Sequence, residues 1–596
     1  MPQYFAPGVY VEEIELGGKP VEGVSTSTAG FLGQTERGPT TPRLITSWLQ
    51  FQRVYGGVLG EQPYLPHTVK GFFDNGGKRC YIARITKASA VSADRKLKDA
   101  ADQNGLTVQA IGEGAWGNRI AVSVTKGSLS GIKINVYYWK DAVPDSSALA
   151  PTIADTKKLP QPTITESFDN VSADASSPDF YAIKVNGVSA FIELKSKSGD
   201  TGALPADGKN AVGYLTGGLD SREDEGKPQI VDAANKTIKL AQATASTEAN
   251  AYVNMTLEIV EGTGKDKKYT ITAYDKATIT ATIDRAWDTV PDLNSTYRIT
   301  STKLVVEDFV RGKTTKPDKK GLFAFADIDD ISILHAPYSE VIPGLTTELI
   351  TQCENLRDRV VIIDSKKGEA NVTNVNPRAD HYDSMFAAYY YPWVKIVHPT
   401  SGMKIEVPPG GHVAGIYARS DAERGVHKAP ANEIVRGAVD LEFQITMQEQ
   451  ETLNPLGVNV IRSFPGRGIR VWGARTTSSN PSWKYINVRR LFNFIEESID
   501  EGTQWVVFEP NDAKLWARVR RTINDFLTRV WRDGALMGTK QEEAFFVRVD
   551  DTTMTKEDIQ NGRLIAIIGI APVNPAEFVI FRIAQVSSGT DINQAY

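Results

Sequence analysis

DISILHAPYSEVIPGLTTELITQCENLRDRVVIIDS, residues 330–365, is the stretch that decides the fold class. It begins with a short apolar run, 330–337, which we interpret as a buried strand leading into a Pro-Tyr loop. Residues 346–358 have the spacing of an amphipathic helix, and the apolar run 359–365 suits a central parallel strand. Strand, helix and strand in this order predict a βαβ unit, and hence an α/β domain over residues 304–480.

The sequence before this domain divides into an α/β part and a β-rich part. Residues 26–90 contain a strand at Ala29–Glu36, a short helix near Trp48–Tyr55, a helix ending at Asn75 and a strand at Cys80–Ile85. Residues 91–218 begin with a charged stretch that we predict to be helical and continue as β-rich sequence. Together they predict an N-terminal α/β and β-rich outer domain, 26–218.

Residues 219–303 differ in composition and in residue pattern from the sequence on either side. They are dense in Thr, Ala, Val and Ile, which alternate in short runs separated by turns such as Gly262-Thr263-Gly264. This pattern is typical of antiparallel strands. We therefore predict a small all-β module inserted into the parent fold, projecting from its outer surface because such additions are tolerated only where there is room.

Two long helices followed by strands are predicted in the last part of the chain, 481–576. The first helix ends near Gly502 and the second, from about Asp512 to Asp533, ends before Gly534, a helix-terminating position. Strand-like runs follow at 544–550, 563–570 and 577–586. The fold class is therefore mixed, α+β and α/β, with several domains, as the chain length also requires.

Composition excludes several classes of protein. The 596 residues are 41% hydrophobic and 23% charged, with a net charge of −5. This charge predicts no general affinity for nucleic acid. The two cysteines, Cys80 and Cys353, are too few for a disulfide framework or a cysteine-rich zinc site, so we expect both to be buried. The N-terminus does not resemble a secretory signal, and no apolar run has the length of a membrane span.

The motifs of catalysis and cofactor binding are missing from the sequence. The glycines of Pro408–Gly415 lack the lysine of a phosphate-binding loop, so we interpret this segment as a structural turn. No GxSxG elbow and no HExxH motif occurs, and no two histidines are four residues apart. We expect no catalytic residue, no metal site and no cofactor. The histidines considered are His67, His335, His381, His398, His412 and His427.

A long segment, VPPGGHVAGIYARSDAERGVHKAPAN at Val407–Asn432, resembles the hallmark segment of contractile tail sheath proteins. These proteins form the sheaths of phage tails, R-type bacteriocins and extracellular injection systems. Further resemblances occur in family order at both ends of the chain. They are FAPGVYVEEI (Phe5–Ile14), TAGFLGQTERGP (Thr28–Pro39), EGAWGNRI (Glu113–Ile120), YLTGGLD (Tyr214–Asp220), NVRRLFNFIEESI (Asn487–Ile499), VFEPND (Val507–Asp512) and LWARVRRTINDFL (Leu515–Leu527).

The resemblance implies a tail-sheath fold, in which residues 304–480 form a subtilisin-like but non-catalytic α/β domain and residues 481–576 face a tube. It implies a structural subunit that polymerises around an inner tube and contracts to drive the tube through a target envelope. The partners would be further copies of this chain, the tube protein, and baseplate and terminal cap proteins, without nucleic acid or membrane insertion. Assembly would take place in the bacterial cytoplasm, as part of a phage tail or an extracellular particle.

The second long helix is predicted to present a basic face to the tube. At about 100° per residue five of its cationic side chains share one face of the helix, which also contains Asp525. Leu515, Val519, Ile523 and neighbouring apolar residues lie on the other side. The alternative for this face is a solvated helix surface. The predicted tube-facing residues are Lys514, Arg518, Arg521, Arg529 and Arg532.

Both ends of the chain are predicted to be β-strands exchanged between subunits, a kind of interweaving that the family resemblance also implies. The arms would be residues 1–25 and 577–596, and the strands 544–550 and 563–570 would form the acceptor sheet. The alternative is that both ends fold back within their own subunit. The residues concerned are Val9, Tyr10, Val11, Glu12, Glu13 and Ile14 at the N-terminus, and Phe578, Val579, Ile580, Phe581, Arg582 and Ile583 at the C-terminus.

Two other functions stay open from the residues alone. The α/β domain could belong to a phage-associated hydrolase, which would remain a small discrete oligomer instead of forming long cylinders. A static capsid or tail-tube protein is the third candidate. Tube proteins are usually much shorter and lack the segment Val407–Asn432.

Overall fold

A computed structural model describes residues 21–580, apart from 59, 102–103, 156, 197–203, 207–209, 211 and 313–318. The predicted N-terminal strand, Val9–Ile14, lies outside the described residues, as do Phe581, Arg582 and Ile583. Within the described part, no helix is long and apolar enough to span a bilayer.

Strands dominate the first half of the chain and helices become longer towards its end. The strands up to residue 214 are β1 (Ala29–Gly33), β2 (Arg43–Ile45), β3 (Cys80–Arg84), β4 (Asp94–Lys98), β5 (Asn104–Ala110), β6 (Ile120–Lys126), β7 (Ile132–Tyr138), β8 (Ile164–Val171), β9 (Ile192–Ser196) and β10 (Gly213–Tyr214). Those from 224 to 300 are β11 (Asp224–Gly226), β12 (Ile230–Asp232), β13 (Thr237–Lys239), β14 (Thr256–Glu261), β15 (Lys268–Asp275), β16 (Thr280–Ile283) and β17 (Thr296–Thr300). The remainder are β18 (Ile333–His335), β19 (Val360–Asp364), β20 (Ala387–Tyr391), β21 (Val394–Val397), β22 (Lys404–Val407), β23 (Glu433–Ile434), β24 (Ala438–Leu441), β25 (Val458–Phe464), β26 (Gly468–Val471), β27 (Phe545–Arg548) and β28 (Ile567–Ile570).

The α-helices include several of a single turn. They are α1 (Trp48–Tyr55), α2 (Leu65–Asp74), α3 (Ser146–Ala154), α4 (Tyr181–Lys184), α5 (Val306–Phe309), α6 (Leu345–Leu356), α7 (Gly410–Arg424), α8 (Met447–Leu453), α9 (Ile486–Thr503), α10 (Ala513–Arg532), α11 (Gln541–Ala544) and α12 (Lys556–Gln560).

A nine-stranded sheet forms the centre of the molecule, in the order β2-β3-β1-β18-β19-β20-β25-β26-β23. Its middle strands are parallel, and β18, α6 and β19 form the predicted βαβ unit, which is confirmed. Helices cover both faces. Ile362 of β19 belongs to the hydrophobic cluster that includes residues of α1, α2 and α7, whereas its neighbours Val361 and Ile363 belong to the cluster that includes residues of α6 and α8. Burial on both faces explains why these strands are continuously apolar.

The central sheet corrects the boundary drawn between an N-terminal domain at 26–218 and an α/β domain at 304–480. Strand β1 pairs with β3 on one side and with β18 on the other, both in parallel. Every residue of β1 is buried. Strands β1, β2 and β3 therefore belong to the same sheet as the strands of 333–471, because an apolar strand buried on both faces needs partners that the described strands of 91–218 do not supply.

Helix α7 corrects the interpretation of Pro408–Gly415 as a turn. The helix begins at Gly410, whose amide donates a 2.7 Å hydrogen bond to Asp364. It packs closely on α2: a Cβ added to Gly411 would lie 2.3 Å from the Thr68 carbonyl oxygen, and one on Gly415 would lie 2.4 Å from that of Phe72. The glycines therefore allow two helix backbones to approach each other, which is a tertiary requirement.

Two small sheets make up the β-rich part of residues 91–218. One has the order β4-β5-β9 and the other β10-β6-β7-β8. The charged stretch predicted as helical is β4, so that prediction is wrong. In β4 only Leu97 is buried, and the strand pairs antiparallel with β5. Pairing with the next strand of the chain, β5, has overridden the helical preference of this stretch.

The strands from β11 to β17 form a seven-stranded sheet of their own. Its hydrophobic cluster contains Leu257, Ile271 and Tyr297, and every member comes from residues 231–299. The two ends of this segment meet, since the Ser301 amide donates to the Ser221 hydroxyl. This part therefore enters and leaves the rest of the chain at one place.

Candidate functional site

Helix α10 is defined by local signals that the sequence already shows. The Asp512 carboxylate accepts hydrogen bonds from the amides of Lys514 and Leu515, at 3.0 and 2.9 Å, and so caps the helix N-terminus. The helix ends before Gly534, which has φ of +82°. The apolar stripe predicted from the helical period is buried, and so is Leu527 beside it. The predicted residues are Leu515, Val519, Ile523, Phe526 and Val530.

All five cationic residues predicted on the opposite face of α10 are exposed. Three of them also contact their own subunit. The Arg518 guanidinium lies 4.5 Å from the centre of the Trp505 ring, and Arg521 is 3.8 Å from Asp525 on the next turn. Arg529 donates a hydrogen bond to the carbonyl oxygen of Val21. The face is basic, but part of it holds the N-terminal segment in place.

The first described residues, 21–28, correct the predicted extent of the N-terminal arm. Val21 is fully buried in the hydrophobic cluster of α9 and α10. The amide of Val24 donates to the Ser498 hydroxyl at 3.1 Å. A Cβ on Gly23 would lie 2.9 Å from the Phe494 ring. Residues 21–25 thus belong to the body of the protein, and any free arm precedes Val21.

A buried ion pair joins α9 to α7 at the same place. The Arg490 guanidinium binds both carboxylate oxygens of Asp421, one of them at 2.9 Å, and lies over the Tyr417 ring. Both charged side chains are nearly inaccessible, at 3% and 4% exposure. Thr26 completes the cluster, since its hydroxyl donates to Asp421 at 2.7 Å and its carbonyl oxygen accepts from Arg490 at 2.9 Å. The cluster links the α/β domain, the C-terminal helices and the N-terminal segment.

The predicted two-stranded sheet is confirmed. Strand β27 pairs antiparallel with β28, in register from Phe545 opposite Ile570 to Arg548 opposite Ile567. One face packs on α10 through Phe545 and its neighbours. Within the described part of the chain this sheet has only these two strands. Each strand therefore has an edge that no described strand covers. Phe546 and Ile567, which lie on these strands, are about half exposed, at 49% and 46%.

After β28 the chain crosses from the C-terminal helices to the α/β domain. The amide of Met537 donates to the Ala571 carbonyl oxygen at 2.8 Å, and that of Val573 to the Ala535 carbonyl oxygen at 3.2 Å. The next four residues, 574–577, which we call the strap, run along a groove of about 1190 Å³ and end at Glu577. Beyond it, Phe578, Val579 and Ile580 are exposed at 71%, 67% and 79%.

Glu577 is held by four side chains of the α/β domain and the start of α9. Arg475 donates to both of its oxygens, each at 2.7 Å, and Asn454, Tyr485 and Lys484 approach at 2.9, 2.9 and 3.2 Å. Burial alone would raise the pKa of this carboxyl. The hydrogen bonds from Arg475 and Asn454 outweigh burial and lower the pKa to about 2. Glu577 is therefore ionised at neutral pH.

Sequence reasoning missed the role of Glu577. The nearest of its partners in the chain, Tyr485, is separated from it by 92 positions. A glutamate at the start of an apolar run carries no local sign of such a contact. Two prolines at 572 and 575, which interrupt strand pairing, were the only available signal of a crossing segment.

The group nearest to a catalytic arrangement is buried inside the α/β domain. His335 Nε2 is 3.5 Å from Asp364, and both side chains are fully buried. Burial raises the pKa of Asp364, and its other oxygen accepts the amide of Gly410 at the start of α7. His412 is also buried, which lowers its pKa to about 4. Among the described residues, no group of three His, Cys, Asp or Glu side chains is placed to hold a metal ion.

Two family models match adjacent parts of the chain. The phage tail sheath protein central domain matches residues 312–477, and the phage tail sheath C-terminal domain matches 478–585. Residues 312–585 belong to the phage tail sheath family. The second match begins just before α9 and includes α10, the two-stranded sheet and the strap. The described part of the candidate site after residue 477 therefore lies within the sheath C-terminal domain.

Curated relatives share part of this sheath sequence. A tail sheath protein of Vibrio phage KVP40 is 25% identical over 233 residues, and one of Burkholderia phage BcepMu is 27% identical over 212 residues. These matches cover 38% and 33% of this chain. They span 33% and 41% of the relatives' own length, well under two thirds.

A solved structure extends the likeness to the whole chain. It is the PVC sheath complex of an extracellular contractile injection system, in the contracted state. The superposition has a TM-score of 0.52 at 20% identity, and it covers 100% of both chains. At this identity the likeness is one of fold, which is mixed α+β with several domains.

Proposed function

We propose that this chain is the structural subunit of a contractile sheath, which polymerises around an inner tube and contracts to drive the tube through a target cell envelope. The observation that carries the proposal is the pair of sheath matches, 312–477 and 478–585. They cover most of the α/β domain and all of the C-terminal helices. The partners are further copies of this chain, an inner tube protein, and baseplate and cap proteins, in a phage tail or an extracellular particle assembled in the bacterial cytoplasm.

Contraction needs no fuel in this proposal. Each subunit is assembled into an extended lattice of higher free energy and reaches a better-packed interface when the sheath contracts. A rearrangement worth a few kcal/mol per subunit, summed over many subunits, supplies the work. The buried Arg490–Asp421 pair supports this mechanism, because it ties α9 to the α/β domain so that the two can move as one unit.

Neighbouring subunits are linked by strands donated to the sheet of β27 and β28. The two edges left uncovered by described strands support this proposal, since a two-stranded sheet is marginal alone and exchanged strands would complete it. The donors are the N-terminal segment before Val21 and the C-terminal segment after Glu577. Exposed apolar side chains at Phe578, Val579 and Ile580 suit a strand that is covered by another subunit.

No catalytic step belongs to the proposed function. The α/β domain is taken to have the subtilisin-like topology of sheath proteins without a protease site. The buried position of His335 and Asp364 supports this assignment, because a substrate cannot reach them. The phage-associated hydrolase is the weaker alternative.

Truncation of the two arms tests the proposal. We expect that a chain lacking residues 1–20, and another ending at Glu577, are folded and soluble but do not form sheath on tubes. Both cuts leave the buried Val21 and the bonds of Glu577 in place. Circular dichroism and size-exclusion chromatography report folding, and electron microscopy with purified tubes reports assembly.

The matched control is a chain that keeps both arms but lacks the β11–β17 segment. This deletion removes more residues than either truncation. Long contractile cylinders formed by either truncated chain would disprove strand exchange at that end. A full-length chain that remains a small oligomer in the presence of tubes would contradict the sheath function itself.

A further inference from the structure

The strap ends at Glu577, whose polar contacts are more numerous and more buried than those of a surface ion pair. Glu577 and Arg475 are exposed at only 18% and 11%, and their contact is bidentate. Surface pairs of long flexible side chains contribute little, whereas a partly buried bidentate pair is both stronger and geometrically specific. The arrangement therefore fixes the position of residue 577 on the α/β domain.

Arg475, the main partner of Glu577, is also held by bonds that do not involve the strap. Arg475 donates a further hydrogen bond to the Asn454 carbonyl oxygen at 2.8 Å. Its backbone amide and carbonyl oxygen pair with the fully buried side chain of Asn459 on β25, at 2.7 and 2.8 Å. These bonds hold Arg475 without involving Glu577, so the strap can leave while Arg475 keeps its place.

Release of Glu577 would lengthen the free C-terminal segment. The next backbone hydrogen bond back along the chain runs from Val573 to Ala535. Residues 574–577 would then become free, adding about 13 Å of reach at about 3.3 Å per residue. The C-terminal segment would also start from the C-terminal helices and no longer from the α/β domain.

We infer that Glu577 and its four partners form a latch, which sets the point and the direction from which the C-terminal segment leaves its own subunit. This inference rests on the proposed function and adds to it a positioning residue for strand exchange. With the latch closed, the exposed apolar residues begin immediately after a fixed point, so the donated strand is preorganised. With the latch open, four more residues must be ordered when the strand binds its neighbour, which weakens assembly.

The state of the latch can be measured in the unassembled subunit. Met447 and Phe578 both line the groove and are exposed, so each can be replaced by cysteine and spin-labelled. The native Cys80 and Cys353 are buried and do not compete for the label. We expect a narrow distance distribution between the two labels in the parent, at least twofold broader in Glu577→Ala and intermediate in Glu577→Gln.

Glu557→Ala is the matched control, because Glu557 is an exposed glutamate on α12 of the same domain. It should leave the distance distribution unchanged. A distribution that is already broad in the parent, or one that stays narrow in Glu577→Ala, would overturn the latch.

Assembly on tubes provides the second readout. We expect Glu577→Ala to raise the critical concentration for sheath formation at least tenfold and Glu557→Ala to leave it unchanged. If Glu577→Ala opens the strap but polymerises at the parental concentration, the positioning role is wrong and the sheath function stands. If the parent does not polymerise, the sheath function fails, while the distance measurement still decides whether the latch exists.

Discussion

At the scale of single residues, the buried side chain of Arg490 should be costly to lose. We predict that Arg490→Met destabilises the protein by about 3–5 kcal/mol, because it leaves the Asp421 carboxylate buried without its partner. The same change removes the hydrogen bond to the Thr26 carbonyl oxygen. The free energy of unfolding in urea measures the effect.

Arg521→Ala is the control for this prediction, since its contact with Asp525 lies in solvent with 78% and 68% of the two side chains exposed. Its removal should change stability by no more than about 1 kcal/mol. The double variant Arg490→Met, Asp421→Leu should recover much of the loss, because it leaves no buried charge. A loss below about 1 kcal/mol for Arg490→Met alone would contradict the importance of the pair.

At the scale of elements, the cationic residues on the exposed face of helix α10 differ in how they contact their own subunit. Arg518 and Arg529 contact the Trp505 ring and the Val21 carbonyl oxygen, so their reversal would disturb folding as well as binding, whereas the contact of Arg521 with Asp525 lies in solvent. We therefore predict that the triple variant Lys514→Glu, Arg521→Glu, Arg532→Glu folds like the parent but does not form extended sheath on tubes. Three exposed contacts of up to about 1 kcal/mol each correspond to a loss of tube affinity of up to roughly 100-fold.

Co-sedimentation with tubes at low and high salt measures this loss, and the parental interaction should weaken as salt screens the charges. The control reverses three exposed lysines between β14 and β16, in the variant Lys265→Glu, Lys267→Glu, Lys276→Glu. It has the same change in net charge. Equal loss of binding in both triple variants would point to net charge, and normal assembly of the α10 variant would refute the tube-facing surface.

At the scale of the whole molecule, the sheet of β11–β17 should be dispensable. Its hydrophobic cluster draws on residues 231–299 only, and its two ends meet at Ser221 and Ser301. We predict that deleting 222–300, with a short Gly-Ser linker in their place, leaves a folded chain that still forms contractile sheath. Thermal unfolding and electron microscopy on tubes check the two halves of this prediction. A folded deletion variant that forms no sheath would show that this sheet takes part in packing between subunits.

The sequence alone determined the elements whose signals are local. The caps and apolar period of α10, the helix Trp48–Tyr55, the βαβ unit and the strands β27 and β28 all follow from neighbouring residues. These predictions succeed because a period of 3.6 or 2 and a capping side chain act within a few positions.

Only the tertiary structure decided which distant residues meet. The structure places β1 and β3 in the sheet of 333–471 and shows that the glycines after Pro409 let α7 pack closely on α2. It also shows that Val21 contacts α10 and that Glu577 binds Arg475. Glu577 and Arg475 are 102 positions apart, and Val21 and Arg529 are 508 apart. The physical reason is that such contacts depend on complementary shape and charge in the folded chain, which no local pattern of residues encodes.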